Sequence, residues 1–406
     1  MTMQLLPLVS GQIKVGAPLP FGVYDEHAKL LLAAGHVIGS DSQLETLLER
    51  GVYADRAEIA AFIASRSAAA GKGPPSIFDI WEKTIWRLDK LLRSVDQEAG
   101  FTQRCDEFTG HLVALVRHDP DIAIYLSVRQ DPRRLKLYGL THALHCALVC
   151  QLTATRMGWP AQRMHTLVKA ALTMNLAIIE VQAKFAVQGR LGEADRALIQ
   201  AHPQRALERL QAAGVNDPVW LQAVIEHHER PGGGGYPADL AELSEEAAML
   251  RMADVFMAKI SPRTDRPALP IQLAARQMFS ETAGSAAAGA LIKEYGIYPP
   301  GNFIQLASGE LAVVIRRGAS AHTPLAAAVT DRSGLPTIHT TPHDTALPAF
   351  AIQALAGESA LLLRMTPERL YGVAAYRART GVAVAADGAA GDGSHARIRS
   401  VNHEPA

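Results

Sequence analysis

The hydrophobic period of this chain changes twice, and that change constrains the fold more than any other feature. From residue 77 to about residue 295 the period is helical. In "IFDIWEKTIWRLDKLL", Ile77, Trp81, Ile85, Leu88 and Leu92 recur at three- and four-residue steps, which lines them along one helix face. Further helices are expected around 101–117, 120–129, 133–157, 161–183, 193–214, 218–229, 244–260 and 270–279, joined by short connections carrying Gly, Pro or Asp. On either side the period is two. "LPFGVYDEHAKLLLAAGHVI" sets two apolar runs around a polar turn, as in a β-hairpin, and a short helix stopped by Gly51 follows it. "GNFIQLASGELAVVIRRG" and "LAAAVTDRSGLPTIHT" read as two more hairpins, turning at Ser308-Gly309 and Ser333-Gly334.

The expected class is therefore mainly α: an all-helical domain at 77–295 flanked by small β-rich modules at 1–64 and 296–385. The stretch 65–76, "SRSAAAGKGPPS", reads as a linker, and the Gly/Ala-rich tail 386–406 as disordered. The 406 residues suffice for two or three cores. Lys plus Arg equals Asp plus Glu at 40 each, so no charge excess argues for nucleic acid or an anionic membrane as partner. Cys105, Cys146 and Cys150 are too few, and odd in number, for a disulfide framework; Cys146 and Cys150, one helical turn apart, read as small buried apolar residues. Neither a secretory signal nor an apolar run of membrane-spanning length is visible, and the expectation is a cytoplasmic protein.

Chemistry concentrates in the histidines. Imidazole binds divalent transition metals readily, and a metal site needs several such ligands converging from different helices. His142, His202, His227 and His228, with Asp254, are the candidates within the helical segment. Singly, each is more commonly a surface or core histidine. The adjacent pair His227-His228 is the stronger signal. Neighbouring helical residues diverge by about 100°, so both reach one ion only near a helix end, which the glycines of "IEHHERPGGGGYP" supply.

"HHERPGGGGYP" resembles the second signature of the HD-GYP family: His-His-Glu, a spacer, then Asp-Gly-x-Gly-Tyr-Pro. "THALHCALVCQLTATRMGWP" resembles the helix bearing that family's first ligand histidine, at His142; "GRLGEADRALIQAHPQRALERL" its His-Pro helix, at His202; and "LRMADVFMAKISPRTDRP" its Ala-Asp segment, at Asp254, with Arg263 and Arg266 downstream. The likeness covers about 140–314. Active members of the family hydrolyse the bacterial messenger cyclic di-GMP with two or three metals, usually iron or manganese. The resemblance thus implies a helical HD-GYP-like domain, metal ligands at His142, His202, His227, His228 and Asp254, and cyclic di-GMP or diguanylate cyclase-type signalling proteins as partners.

The departures are equally specific. The eponymous His-Asp pair maps to Met174-Asn175 or Thr173-Met174, and the family's Gly-Lys to Ala177-Ile178 or Leu176-Ala177; neither register holds a His, Asp or Lys. The Asp of the signature loop is Gly232. Two-metal hydrolysis needs cations about 3.5–4 Å apart. Their repulsion demands a bridging anionic oxygen, which Met, Thr and Asn do not supply. His202, His227 and His228 would serve a single ion, so at most one divalent metal (Fe, Mn or Zn) is expected, or none, with the histidines then forming a hydrogen-bonded, metal-free pocket. The remaining alternative is an active enzyme that draws a carboxylate from Glu180, Glu226 or Glu229. For ligand binding, Gly233 and Gly235 permit close backbone approach to a phosphate or simply give a loop. Tyr236 either stacks on a base or packs, and Arg263 and Arg266 either grip phosphate or are solvated. The β-rich modules leave a homodimer open.

Overall fold

The structure, a computed structural model, describes residues 75–357 and 366–372, together with 3–5, 15–16, 18–25, 27, 29–40, 42–43, 46, 53–55 and 58. The expected linker (apart from 75 and 76), the 386–406 tail and most of the short helix before Gly51 lie outside these residues. The chain divides into two compact units, 1–75 and 76–406.

In the first unit, strands β1 (Met3–Leu5), β2 (Val23–Tyr24), β3 (Leu30–Leu32) and β4 (Tyr53–Asp55) form an antiparallel sheet in the order β1-β4-β2-β3. The expected hairpin is β2–β3. Its turn is held by the Asp25 carboxylate, which accepts from the backbone N–H groups of His27 at 2.9 Å and Lys29 at 2.8 Å. Leu19, Phe21, Val23, Tyr24, Ile38 and Ala54 are among the buried residues of this unit.

The second unit opens with α1 (Ile77–Arg93). Ser76 caps it reciprocally with Asp79: the Ser76 hydroxyl accepts from the Asp79 N–H and the Asp79 carboxylate from the Ser76 N–H. α2 (Phe101–His118), α3 (Pro120–Val128), a 3-10 turn at Pro132–Leu137 and α4 (Tyr138–Arg156) follow. Then come α5 (Ala161–Thr173), α6 (Ile179–Gln188), α7 (Glu193–Ala212), α8 (Pro218–Glu226), α9 (Glu245–Ile260), α10 (Ile271–Glu281) and α11 (Ala286–Tyr295). Helix α4 is the axis of the bundle. Apart from Thr141 it is buried from Tyr138 to Ala154, as a helix apolar on every face must be.

Three local departures from the periodic reading shape the site. The helix expected at 161–183 is two helices, broken over 174–178, where the N–H groups of Leu176 and Ile178 turn back onto the carbonyls of Thr173 and Asn175. Gly139 lets α4 approach the restart of the chain after this break, since a Cβ there would lie 2.5 Å from the Ile179 carbonyl oxygen. The helix expected at 218–229 stops at Glu226, leaving His227 and His228 at its end. Helix α11 was not among the expected helices; its Ala-Gly-rich start, "AAAGALIKEY", carries a weak period.

The carboxy-terminal strands are β5 (Phe303–Leu306), β6 (Leu311–Arg316), β7 (Leu325–Thr330), β8 (Pro336–Asp344) and β9 (Ile352–Leu355), antiparallel in the order β8-β7-β6-β5-β9. Phe303, Val313, Ile315, Ala327 and Val329, on one face, join the core of the helices. Ile304, Leu306, Ala312, Val314 and Ala326, on the other, pack with Tyr298, Phe350 and Ile352. A last helix, α12 (Pro367–Tyr371), returns Tyr371 to the core, 5.3 Å from both the Phe78 and Tyr125 rings. Arginines at the end of β6 complete the join: Arg316 pairs with Asp119 at 2.7 Å, and Arg317 with Asp121 and Glu294 at 2.5 Å each. No helix among the described residues is long and apolar enough to cross a membrane.

Candidate metal centre

Helices α4, α7, α8 and α9 bring the five candidate ligands into two adjoining groups. The first is His202, from α7, with His227 and His228 at the end of α8; their ligand atoms lie within 4.8 Å of one another. The second is His142 and Cys146, one turn apart on α4, with Asp254 on α9, again within 4.8 Å.

The first group has its tautomers set by the backbone. His202 Nδ1 lies 2.5 Å from the Ile199 carbonyl oxygen and His227 Nδ1 lies 2.6 Å from that of Val224. A carbonyl only accepts, so both Nδ1 atoms carry hydrogen and both neutral rings present a bare Nε2. These two Nε2 atoms face each other at 3.1 Å. Two lone pairs at that distance repel unless a proton or a cation lies between them. Burial opposes the proton. It pushes His202 down to about 4, with His228 beside it adding to the effect, and it holds His227 well below the ordinary imidazole value. A cation fits: Nδ1–H bonded to a carbonyl, with Nε2 free to ligate, is the usual outer support of a metal-binding histidine. The His228 ring stands 4.2 Å from that of His227, and Tyr236 stacks on it at 4.7 Å.

In the second group His142 Nε2 donates to Asp254 Oδ1 at 2.8 Å, and Cys146 Sγ lies 3.5 Å from the same nitrogen. Burial alone would raise the Asp254 carboxyl. The hydrogen bond from His142 and the surrounding imidazoles outweigh it and hold the group well below the usual carboxylate range. Tyr138 stacks on the other side of His142 at 5.4 Å. His145 is buried beside this group, its Nδ1 without a hydrogen-bond partner, and burial pushes it down to about 3. Burial also raises the Cys146 thiol well above its ordinary value.

The positions aligned with the missing pair lie at the break after α5. Thr173 donates its hydroxyl to the Lys169 carbonyl at 2.8 Å and accepts from Trp220 Nε1 at 2.8 Å, so both of its roles are taken. Met174 is wholly buried, and Asn175 is buried with its Nδ2 unpartnered. The carboxylates considered as substitutes are engaged elsewhere. Glu229 accepts from the N–H groups of Ala238 (2.6 Å) and Leu240 (3.1 Å), closing the glycine loop. Glu226 accepts from the Ser244 hydroxyl at 3.2 Å, and Glu180 is exposed, facing Arg93 at 3.5 Å.

The loop glycines serve the loop itself. Gly232, Gly233 and Gly234 have positive φ, and their N–H groups bond to Ala241 O (3.0 Å), Arg230 O (2.9 Å) and Asp239 Oδ1 (2.5 Å). Gly235 is needed for space, because a Cβ there would lie 2.4 Å from Glu229 Cα. Arg263 pairs with Asp265 at 3.0 Å and lies over the Phe185 ring, and Arg266 donates to the carbonyls of Lys259 and Ala258 at the end of α9. Sequence reasoning missed Tyr138 and read Cys146 as a core residue. The available signal was their spacing, one turn before and one turn after His142.

Residues 132–285 match a family model described as an HD domain. Over 142 residues the chain is 33% identical to the cyclic di-GMP phosphodiesterase PA4108 of Pseudomonas aeruginosa, a match covering 34% of this chain and 34% of that protein, about a third of the relative's length. Among solved structures, Bd1817, a HDG"Y"P protein from Bdellovibrio bacteriovorus, aligns with a TM-score of 0.48 and 14% identity over 72% of this chain and 98% of that one.

Proposed function

From the premise that residues 132–285 are an HD domain of the HD-GYP family, we propose that this chain acts in bacterial cyclic di-GMP signalling as a non-hydrolytic nucleotide-binding or protein-docking module. One observation carries the non-hydrolytic part. Among the described residues, Asp254 is the one carboxylate in either ligand group, and it is already hydrogen-bonded to His142. Two close cations would lack the shared anionic oxygen that offsets their repulsion. His202, His227 and His228 would hold one divalent ion, Fe, Mn or Zn, on three imidazoles. Such an ion supplies Lewis acidity when bound. The protein's own residues fix the ligand tautomers, exclude water and set Tyr236 against His228.

A nucleotide ligand would meet the signature loop at Gly233, Gly235 and Tyr236, with Arg263 and Arg266 completing its phosphate contacts after giving up their present partners. The alternative protein partner is a diguanylate cyclase-type signalling protein. The reading places the chain in the cytoplasm, with the β-rich regions 1–64 and 296–385 as sites for partners or for a second copy.

The identity to a protein named as a phosphodiesterase favours a second reading, an active enzyme with an altered metal site. One set of assays separates the two: metal content, cyclic di-GMP binding by calorimetry, and appearance of the linear product. Binding without turnover is the expected result. Turnover that disappears in His227→Ala and His228→Ala variants would establish the second reading and end the first.

A further inference from the structure

The three-imidazole set is not the only place in the bundle where metal-ligating atoms converge. His142 Nε2, Cys146 Sγ and Asp254 Oδ1 come from two helices, and the sulfur is the donor of a buried free cysteine. Tetrahedral ligation with metal–sulfur bonds of about 2.3 Å and metal–nitrogen bonds of about 2.0–2.1 Å places nitrogen and sulfur roughly 3.6 Å apart. The observed Nε2–Sγ separation is 3.5 Å. The Nε2–Oδ1 separation is 2.8 Å, a direct hydrogen bond, and it would open by about half an ångström on the same geometry.

Charge points the same way. A dication buried in α4 and α9 needs compensation from its own ligands. Thiolate plus carboxylate supplies two negative charges, and neutral imidazole completes the set. Cys146 thereby provides a second anionic donor where Thr173 and Met174 provide none. Sulfur also biases the choice of ion toward Zn(II) or Fe(II) and away from Mg(II) or Ca(II), which prefer oxygen.

We infer that His142, Cys146 and Asp254 form a separate thiolate-containing site for a single thiophilic divalent cation, distinct from the set of His202, His227 and His228. The inference rests on the reading of His142 and Asp254 as metal-binding residues. The thiol gives its proton to bulk buffer as the S–metal bond forms, and the His142 proton passes from Nε2 to Nδ1, which has no hydrogen-bond partner, so that Nε2 is free to ligate; nothing is oxidised or reduced.

Cobalt(II) titration of the full-length, metal-stripped protein tests it, because thiolate–cobalt charge transfer absorbs in the near ultraviolet and imidazole ligation does not. The expected result is two cobalt ions per chain and a charge-transfer band that saturates with one of them. Cys146→Ser should abolish the band and lower the stoichiometry by one, with Cys150→Ser unchanged as a control for the neighbouring thiol. His227→Ala should lose the other ion and keep the band. If the wild-type protein shows no band, or if Cys146→Ser retains it, the thiolate site does not exist. A band unaffected by His227→Ala, in a protein that binds one cobalt throughout, would instead leave this site standing and remove the three-imidazole one.

Discussion

Two hydrogen bonds to backbone carbonyls decide which nitrogens of His202 and His227 can take a cation. Replacing either histidine by Ala removes one of the facing lone pairs, so total bound metal should fall by about one ion per chain, measured by elemental analysis. Chelation should likewise lower the melting temperature of the wild type by more than that of His227→Ala, since a ligand stabilises only the state that binds it and the variant has one ion fewer to lose. Protons report on the same interior. His202 and His145 have folded values of about 4 and about 3, below the roughly 6.5 of an unfolded histidine. Between those limits the unfolded chain binds more protons, so stability is full above about pH 6.5 and falls on acidification, by at most about 1.4 kcal/mol per pH unit for each histidine. The Asp254 contribution, from a depressed carboxyl, is present above about pH 3.9 and is lost only below that. Thermal melts of the metal-free protein from pH 7.5 to 4.5 would show this slope; a flat profile would mean these rings are protonated in the folded state.

At the scale of elements, the site depends on where helices stop. α5 ends at Thr173, where the N–H groups of Leu176 and Ile178 turn back onto Thr173 and Asn175, and α8 ends at Glu226, which puts His227 and His228 at the mouth of the glycine loop. Gly235 is where that loop touches itself. Gly235→Ala should cost about 2 kcal/mol or more and loosen the His228–Tyr236 stack, because the clash is with the Glu229 and Arg230 backbone, which cannot swing aside. Gly232→Ala meets open space and strains only φ, at about 1–2 kcal/mol. Comparing the two by denaturant midpoint and metal affinity separates packing from backbone conformation; equal losses would mean that contact with Glu229 plays no part. Ser76→Ala, far from the site, should cost about 1 kcal/mol through the lost cap of α1 and leave metal binding intact.

On the scale of the whole second unit, the helices and the carboxy-terminal sheet share one core. Phe303, Val313 and Val329 belong to the same core as Trp81 and Leu148, and the Arg316 and Arg317 ion pairs tie β6 to α3 and α11. A chain ending at residue 295 would expose that core and should aggregate or lose its near-ultraviolet circular dichroism. Recovery of a soluble, cooperatively melting 76–295 fragment would contradict the shared core. Asp121→Asn weakens one join without exposing apolar surface, and a partly exposed pair of this kind contributes about 1 kcal/mol or less.

Periodicity alone determined most of this architecture: the helical face of Ile77, Trp81, Leu88 and Leu92 and the hairpins at Ser308-Gly309 and Ser333-Gly334 follow from local side-chain spacing. The identity of the histidines, and the absence of a carboxylate at 173–175, could likewise be read directly from the chain. Tertiary structure decided the rest. Thr173, beside the break between α5 and α6, has its hydroxyl taken by Trp220, distant in sequence. Glu229 became a loop clasp because Ala238 and Leu240 brought their N–H groups to it. Cys146 became a candidate ligand only when α9 set Asp254 against His142. Spacing along one helix specifies which residues share a face; it does not specify what another helix, a hundred residues away, will place against that face.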